Sequence, residues 1–338
     1  MFDMEWDIIG HAWAADMLQQ HIASGKMRHA YLFSGPTGIG RRTLALRFAQ
    51  AVNCKQSPAP GYACGTCRTC QQIKRMQFTD LSVIQSEDEG SVLKVDQIRA
   101  LQHDLSLAPY EGGFRVALLL RFEEANPSAQ NAMLKTLEEP NPKVLLLLTA
   151  DDPENLLPTI TSRCEVLRLR SMPVDALVTI LEKKEGLAKE KANLIAHISG
   201  GRVGYAKQLA EDDAVLERRG QWMENLLMLL AGNRSVRFLF SEKLNKGKKD
   251  RTEVKQTLWE GLGFWLSFWR DVMLVRTGSG VSIANIDLSE EVEKVSGYVT
   301  NQTSAEIVSR LEHSFARMQS ANLQLMLDNL LLDWPVVK

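Results

Sequence analysis

No apolar run in the 338-residue chain approaches the length of a bilayer. Runs such as Val144–Leu148 are strand-length, far short of the ~20 residues a spanning helix needs. The first residues, Met1-Phe2-Asp3-Met4-Glu5, carry no basic region and no apolar core, so they are not read as a secretory signal. The expectation is a cytoplasmic protein without membrane attachment. Excess charge is also missing. Forty basic residues face 41 acidic ones, for a formal net charge of -1, which argues against a free-standing nucleic-acid binder with a strongly basic footprint. There is no internal repeat and no low-complexity tract. No Ser/His/Asp or Cys/His arrangement is readable from the spacings. Hydrophobic residues make up 45% of the chain, enough for a packed core rather than disorder.

Cysteine is scarce, five in all, and four are clustered. Cys54, Cys64, Cys67 and Cys70 are spaced C-x9-C-x2-C-x2-C. In a reducing compartment this points to metal rather than disulfides. Four thiolates close a tetrahedral zinc site and leave no open position, so the zinc expected is structural, one per chain. Gly61 and Gly65 permit tight turns around it. The fifth cysteine, Cys164, reads as a small buried residue rather than a nucleophile.

The first half alternates short apolar runs with helical patterns. Tyr31–Phe33, Leu81–Ile84, Val116–Leu120 and Val144–Leu148 read as buried strands. Arg41–Val52, Asp96–Ser106 and Ser128–Glu139 read as helices, the last with Ser128 as N-cap, Pro140 as its stop, and Ala129, Ala132, Met133, Thr136 and Leu137 on one face. Such alternation predicts an α/β fold with a parallel sheet covered by helices on both faces. Residues 173–209 read as a small helical unit with a Gly200-Gly201 turn. From Glu211 onward the chain is helical, interrupted at Gly247 and around Gly278–Gly280. Boundaries are expected near 168 and 210. Trp259, Leu262, Trp265, Leu266, Phe268, Trp269, Val272 and Met273 form an aromatic-rich stripe, read first as core. Lys243, Lys246, Lys248, Lys249 and Arg251 form a basic run, read as a solvated loop, with phosphate contact as the lesser alternative.

Ser34-Gly35-Pro36-Thr37-Gly38-Ile39-Gly40 follows a strand and opens a helix. In that context Gly35, Gly38 and Gly40 shape a loop whose N–H groups and helix N-terminus can cradle phosphate. A working loop continues with Lys, then Ser or Thr. Here Arg41 keeps the charge but not the point geometry of Lys. Arg42 puts a cation where a hydroxyl would hold Mg²⁺, and Thr43 comes one residue late, a helical rotation of roughly 100°. ATP and Mg²⁺ are therefore not expected to bind productively. The strand ending at Leu120 leads to Glu123 and Glu124. Glu123 is one methylene longer than the usual metal-side Asp, and Glu124 stands where a water-activating carboxylate would. Two glutamates after a strand are equally common as a solvated end.

Several of these segments resemble bacterial DNA polymerase III clamp-loader subunits, members of the AAA+ class. They are Ile9-Gly10-His11, Gly25–Pro36, the four-Cys insert, Leu134-Lys135-Thr136-Leu137-Glu138-Glu139-Pro140 and Thr161-Ser162-Arg163-Cys164. The resemblance runs from about Asp7 to Leu209. It implies an AAA+ module over 1–168 with a zinc insert at 54–70, a helical lid over 169–210 and a helical collar over 211–338. It also implies gamma/tau and delta as partner subunits, and contact with a sliding clamp and primed DNA through the complex. The family has two zinc-bearing branches, the gamma/tau motor and delta-prime, which need not hydrolyse ATP. Motor subunits carry Lys-Thr or Lys-Ser where this chain has Arg41-Arg42, and a sensor Arg where the alignment puts Gly204. The chain length leaves no room for a long tau-like extension. These departures resemble the delta-prime branch. The alternative is a divergent gamma-like ATPase; a zinc-bearing DNA-binding module is the weaker third. Within the family Arg163 would be a finger reaching a neighbouring subunit's nucleotide.

Overall fold

The computed structural model describes residues 6–86, 91–111, 113–245, 251–318 and 322–337. The N-terminal pentapeptide, Gly247, Lys246, Lys248, Lys249 and the Arg251 side chain lie outside the described residues. The chain divides into two compact units, Met1–Met172 with Arg202–Tyr205, and Pro173–Gly201 with Ala206–Lys338.

The first unit is α/β. In chain order it contains α1 (Ala12–Ala23), β1 (Ala30–Ser34), α2 (Arg41–Asn53), α3 (Arg68–Lys74), β2 (Leu81–Ile84), α4 (Val95–Ser106), β3 (Arg115–Leu119), α5 (Pro127–Glu138), β4 (Val144–Ala150), α6 (Pro158–Thr161) and β5 (Glu165–Arg168). The strands form one sheet in the order β2-β3-β4-β1-β5, and every pair is parallel. The period-2 alternation of strand side chains divides the core in two. Tyr31, Phe33, Val116, Leu118, Leu145 and Leu147 face α1, α2 and α3. Leu32, Ala117, Leu119, Leu146 and Leu148 face α4, α5 and α6. Burial on both faces is why these strands read as continuous apolar runs.

Two expectations need correction. The helix expected from Ser128 begins one residue earlier. Its N-cap is Asn126, whose side chain accepts the Ala129 N–H at 2.8 Å, and Pro127 fills the first turn. Pro suits that turn because its missing N–H would have no helical partner. The strand count was also one short. Glu165-Val166-Leu167-Arg168 is a four-residue edge strand with charged ends, pairing with β1.

The second unit is helical. It holds α7 (Val174–Glu185), α8 (Lys189–Ser199), most of α9 (Val203–Glu211), α10 (Asp213–Ala231), α11 (Arg234–Asn245), α12 (Arg251–Thr277), α13 (Ser289–Tyr298), α14 (Asn301–Arg317) and α15 (Leu323–Leu332). Most of the aromatic stripe is core: Leu262, Trp265, Phe268, Trp269 and Val272 are fully buried, while Trp259, Leu266 and Met273 are half-buried. Trp265 packs edge-on against Trp222 and Trp334, each at 5.0 Å between ring centres. Gly261 makes this possible, because a Cβ there would sit 2.2 Å from the Trp222 ring. Arg237 is buried, and among the described residues it has no carboxylate partner. Its guanidinium donates to the carbonyls of Leu229, Leu331, Trp334 and Pro335 at 2.7–3.1 Å, tying the chain end to α11.

Candidate functional site

In an open parallel sheet, ligands bind beyond the strand C-termini where connections diverge to opposite sides. Here that place lies between β1 and β4. The chain leaves β1 toward β2 at one edge and leaves β4 toward β5 at the other. The glycine loop follows β1 and is pinned there, with Gly35 N–H reaching the carbonyls of Ala150 and Asp151 at 3.2 and 3.1 Å. His11, buried, contacts the Ile39 carbonyl at 3.1 Å through Nε2, and burial pushes its pKa below the usual histidine value.

Gly35, Gly38 and Gly40 all have positive φ, at 143°, 82° and 109°, conformations that favour glycine. Gly40 is open to a side chain, but Gly38 is not: a Cβ there would lie 2.7 Å from the Tyr205 Cβ. Tyr205 N–H donates to the Gly38 carbonyl at 3.0 Å. A Cβ on Gly204 would meet that same carbonyl at 2.8 Å. The start of α9 therefore closes directly onto the loop, and the position the resemblance aligns with a sensor Arg has no room for a side chain without a shift.

Arg41 is buried, with 8% of its side chain exposed, and pairs with Asp151 at 2.6 Å. Thr37 Oγ1 lies 3.3 Å from Arg41 Nη2 and donates to Asp151 at 3.2 Å. Arg41 Nη1 is buried without a partner. Arg42 and Thr43 are exposed. The cation at the lysine position is thus spent on an internal carboxylate.

The two glutamates are separately engaged. Glu123 accepts the Asp151 N–H at 3.1 Å through Oε1, while its Oε2 is buried without a partner. Burial pushes its carboxyl up, with the Asp151 charge adding to the rise; its own N–H, Arg41 and the Asp151 N–H pull the other way. Glu124 is bound to Arg121 Nε at 3.0 Å and to the Ser86 hydroxyl. Arg121 also donates to Ser86 at 3.1 Å. Asp151, Arg121 and Ser86 were not singled out in the sequence. Asp151 had a signal, since it follows a strongly apolar strand at its C-terminal end.

The four cysteines come together. Their sulfurs all lie within 4.8 Å of one another, with Cys54–Cys64 at 3.5 Å and Cys64–Cys70 at 4.0 Å. A tetrahedron with bonds of ~2.3 Å has edges of about 3.8 Å, so the set fits a tetrahedral metal. Backbone N–H groups already point at the sulfurs: Cys64 to Cys54 and Cys67 to Cys64, each at 3.3 Å, and Cys70 to Cys67 at 3.5 Å. Burial raises the Cys64 thiol, but N–H donors from Cys67 and Thr66, together with hydrogen bonds from the Thr66 and Cys54 side chains, outweigh it and bring it down to about 6. Burial, then the Cys67 contact, pushes Cys70 well above the usual thiol range. Buried Gln50 braces the knuckle by donating to the Cys70 carbonyl at 2.7 Å.

Arg163 follows α6. Its Nη2 meets Glu138 Oε1 at 2.7 Å and its Nη1 donates to the Thr159 carbonyl at 2.9 Å. About a third of the side chain is exposed. Cys164 packs against the core beside α5 and α6. Burial pushes its thiol up to about 12, so it is no nucleophile near neutrality.

Residues 10–173 match the family described as DNA polymerase III, delta subunit. The chain is similar to DNA polymerase III subunit delta' of Pseudomonas aeruginosa, 35% identical over 65% of this chain and 67% of that protein. It is similar to the delta' subunit of Bacillus subtilis, 26% identical over 94% of this chain and 93% of that protein. The tau subunit of Escherichia coli is 34% identical over 64% of this chain, but the match spans only 33% of that protein. Among the described residues, no helix is long and apolar enough to cross a membrane.

Proposed function

Because the chain belongs to the family of bacterial DNA polymerase III delta-prime subunits, we propose that it serves as the non-hydrolysing subunit of a cytoplasmic clamp loader. It joins gamma/tau and delta in a complex that places the sliding clamp on primed DNA, and it lends Arg163 to a neighbouring ATP site. The observation that carries the non-hydrolysing part is the Arg41–Asp151 pair at 2.6 Å. A phosphate-binding cation must be free to face phosphate oxygens. This one is buried against a carboxylate, in a loop that α9 covers from above Gly38. Glu124, tied to Arg121 and Ser86, supports the same reading. The alternative, an active gamma-like ATPase, requires all three arrangements to open.

The proposal keeps three functional parts, an AAA+ module to about 168, a lid to about 210 and a collar beyond. It assigns one structural zinc to Cys54, Cys64, Cys67 and Cys70. With four thiolates the metal would tie the segment after α2 to α3 and leave no coordination position for chemistry.

A guanidinium supplied from one subunit to another's nucleotide stabilises charge on the transferring phosphoryl group. Arg163 is the partly exposed arginine at the motif that the resemblance marks. The test is Arg163→Ala in a loader assembled from the full chain with its own organism's gamma/tau and delta homologues. Assembly and melting should hold, since the residue is at the surface. DNA- and clamp-stimulated ATP hydrolysis should fall in part, because fingers are worth on the order of 10³–10⁵ at the one site each serves. Arg163→Lys should not restore it, lacking the planar fork. Wild-type stimulated turnover by an assembled Arg163→Ala loader would refute the finger.

A further inference from the structure

We propose that Glu138 is a positioning residue for Arg163, fixing the direction in which the guanidinium faces a neighbouring subunit; this rests on the finger reading above. Glu138 lies in the last turn of α5. A carboxylate there is opposed by the helix dipole, whose negative end is the C-terminus. Its placement therefore brings α5 no benefit of its own. As an ordinary ion pair between half-exposed side chains, the Glu138–Arg163 contact would add little stability. What it does supply is geometry. The Glu138 carboxylate takes one end of the guanidinium at 2.7 Å, and the Thr159 carbonyl takes the other at 2.9 Å. Nη1 also lies 3.4 Å from the Ser162 hydroxyl, and a planar fork held at both ends is restrained from swinging while its Nε–H is left for another molecule.

The two holders are themselves fixed relative to each other. Gln130, buried in α5, accepts the Leu157 N–H at 2.9 Å and donates to the Ala125 carbonyl at 3.0 Å. This ties α5 to the residue that precedes α6. Ile160 of α6 packs in the same core as Met133 and Leu137 of α5. At the base of the side chain, Arg163 N–H donates to the Ile160 carbonyl at 3.0 Å. Backbone and tip are each held by elements that share one core, the arrangement that keeps a reacting group within a fraction of an ångström of its working position.

The experiment uses the assembled loader and reads kcat and KM for stimulated ATP hydrolysis, with melting and assembly measured on the same preparations. Glu138→Ala should cut the Arg163-dependent share of kcat by about two- to fivefold, the worth of one such contact. KM, melting and assembly should stay unchanged. Glu138→Gln keeps an oxygen acceptor and should retain most of the turnover, a rescue that a purely electrostatic role would not give. Glu138→Ala combined with Arg163→Ala should match Arg163→Ala alone. If Glu138→Ala turns over at the wild-type rate while Arg163→Ala is impaired, the positioning role is wrong and the finger stands. Losses that add in the double variant would also overturn it, since Glu138 would then act elsewhere. If Arg163→Ala itself is unimpaired, the finger fails first and the positioning role with it.

Discussion

Removing the Asp151 carboxylate should leave the buried Arg41 charge without its direct partner, with only the Glu123 carboxyl left to balance it. In Asp151→Ala, Arg41 would keep only the contact to Thr37 at 3.3 Å, and its Nη1 has no partner even in the parent chain. Breaking a fully buried ion pair by deleting one partner costs about 3–5 kcal/mol, whereas an exposed pair is worth ~0.2–1 kcal/mol. This pair lies between the limits, since 8% of the Arg41 side chain and 49% of Asp151 are exposed. We expect about 1.5–3 kcal/mol, which for a unit of this size lowers Tm by about 4–10 °C. The reverse deletion should be milder. In Arg41→Met the stem packing is largely kept and half-exposed Asp151 regains water, so the cost should stay under about 1 kcal/mol. The double variant should recover most of the loss. Native-state hydrogen exchange on peptides from β1 and α2 reports this unit directly, without interference from the tryptophan-rich helical unit. A loss below about 0.5 kcal/mol for Asp151→Ala, or equal losses for the two single variants, would refute the argument that Arg41 is a buried, committed charge.

The Glu123 carboxyl is pushed up by burial. The folded chain therefore binds its proton more tightly than the unfolded chain does, and stability from this group is present at low pH and lost as pH rises through the raised value. Glu123→Gln should thus melt above the parent near pH 8, with the gap closing in acid; a constant difference across that range would count against a raised carboxyl. Crowding of Trp222 in Gly261→Ala should cost about 1–3 kcal/mol, offset by a helix gain of ~1 kcal/mol, for a net loss of up to about 2 kcal/mol in the helical unit, and an unchanged tryptophan emission and Tm would show that the ring can yield. Metal analysis of protein purified without chelator should find about one zinc per chain; all five thiols titrating freely with no metal present would remove the site. The isolated chain should hydrolyse ATP negligibly, and Gly204→Arg should not restore activity, because its Cβ has no space against Gly38; turnover typical of a motor subunit, lost in Arg41→Ala, would reverse the inactive reading.

The cluster of four cysteines was legible in the sequence because its members are close along the chain, and the spacing of Cys64, Cys67 and Cys70 alone restricts where they can point. The strands of the core were legible too, since burial on both faces writes itself as unbroken apolar runs. The short edge strand Glu165–Arg168 was not, because its charged ends and four-residue length match a loop equally well. The N-cap of α5 was misplaced by two residues because Asn126, Pro127 and Ser128 are each good starting signals, and local propensity does not rank them.

By itself the sequence determined how the glycine loop departs from the Lys-then-hydroxyl pattern of a working phosphate loop. Lys, hydroxyl and their spacing are properties of three neighbouring residues, and Arg41, Arg42 and Thr43 depart from them wherever the loop sits. Which partners those residues meet was decided only by the tertiary structure. The parallel sheet sets β1 between β4 and β5, so residues far apart in the chain become neighbours at the strand ends. Asp151 reaches Arg41 that way. Gly204 meets Gly38 because the chain returns to this unit at Arg202–Tyr205, and Glu138 holds Arg163 because α5 and α6 share a core. Local signals are written in short spacings; ion pairs that close across a sheet depend on strand order, which no short spacing records.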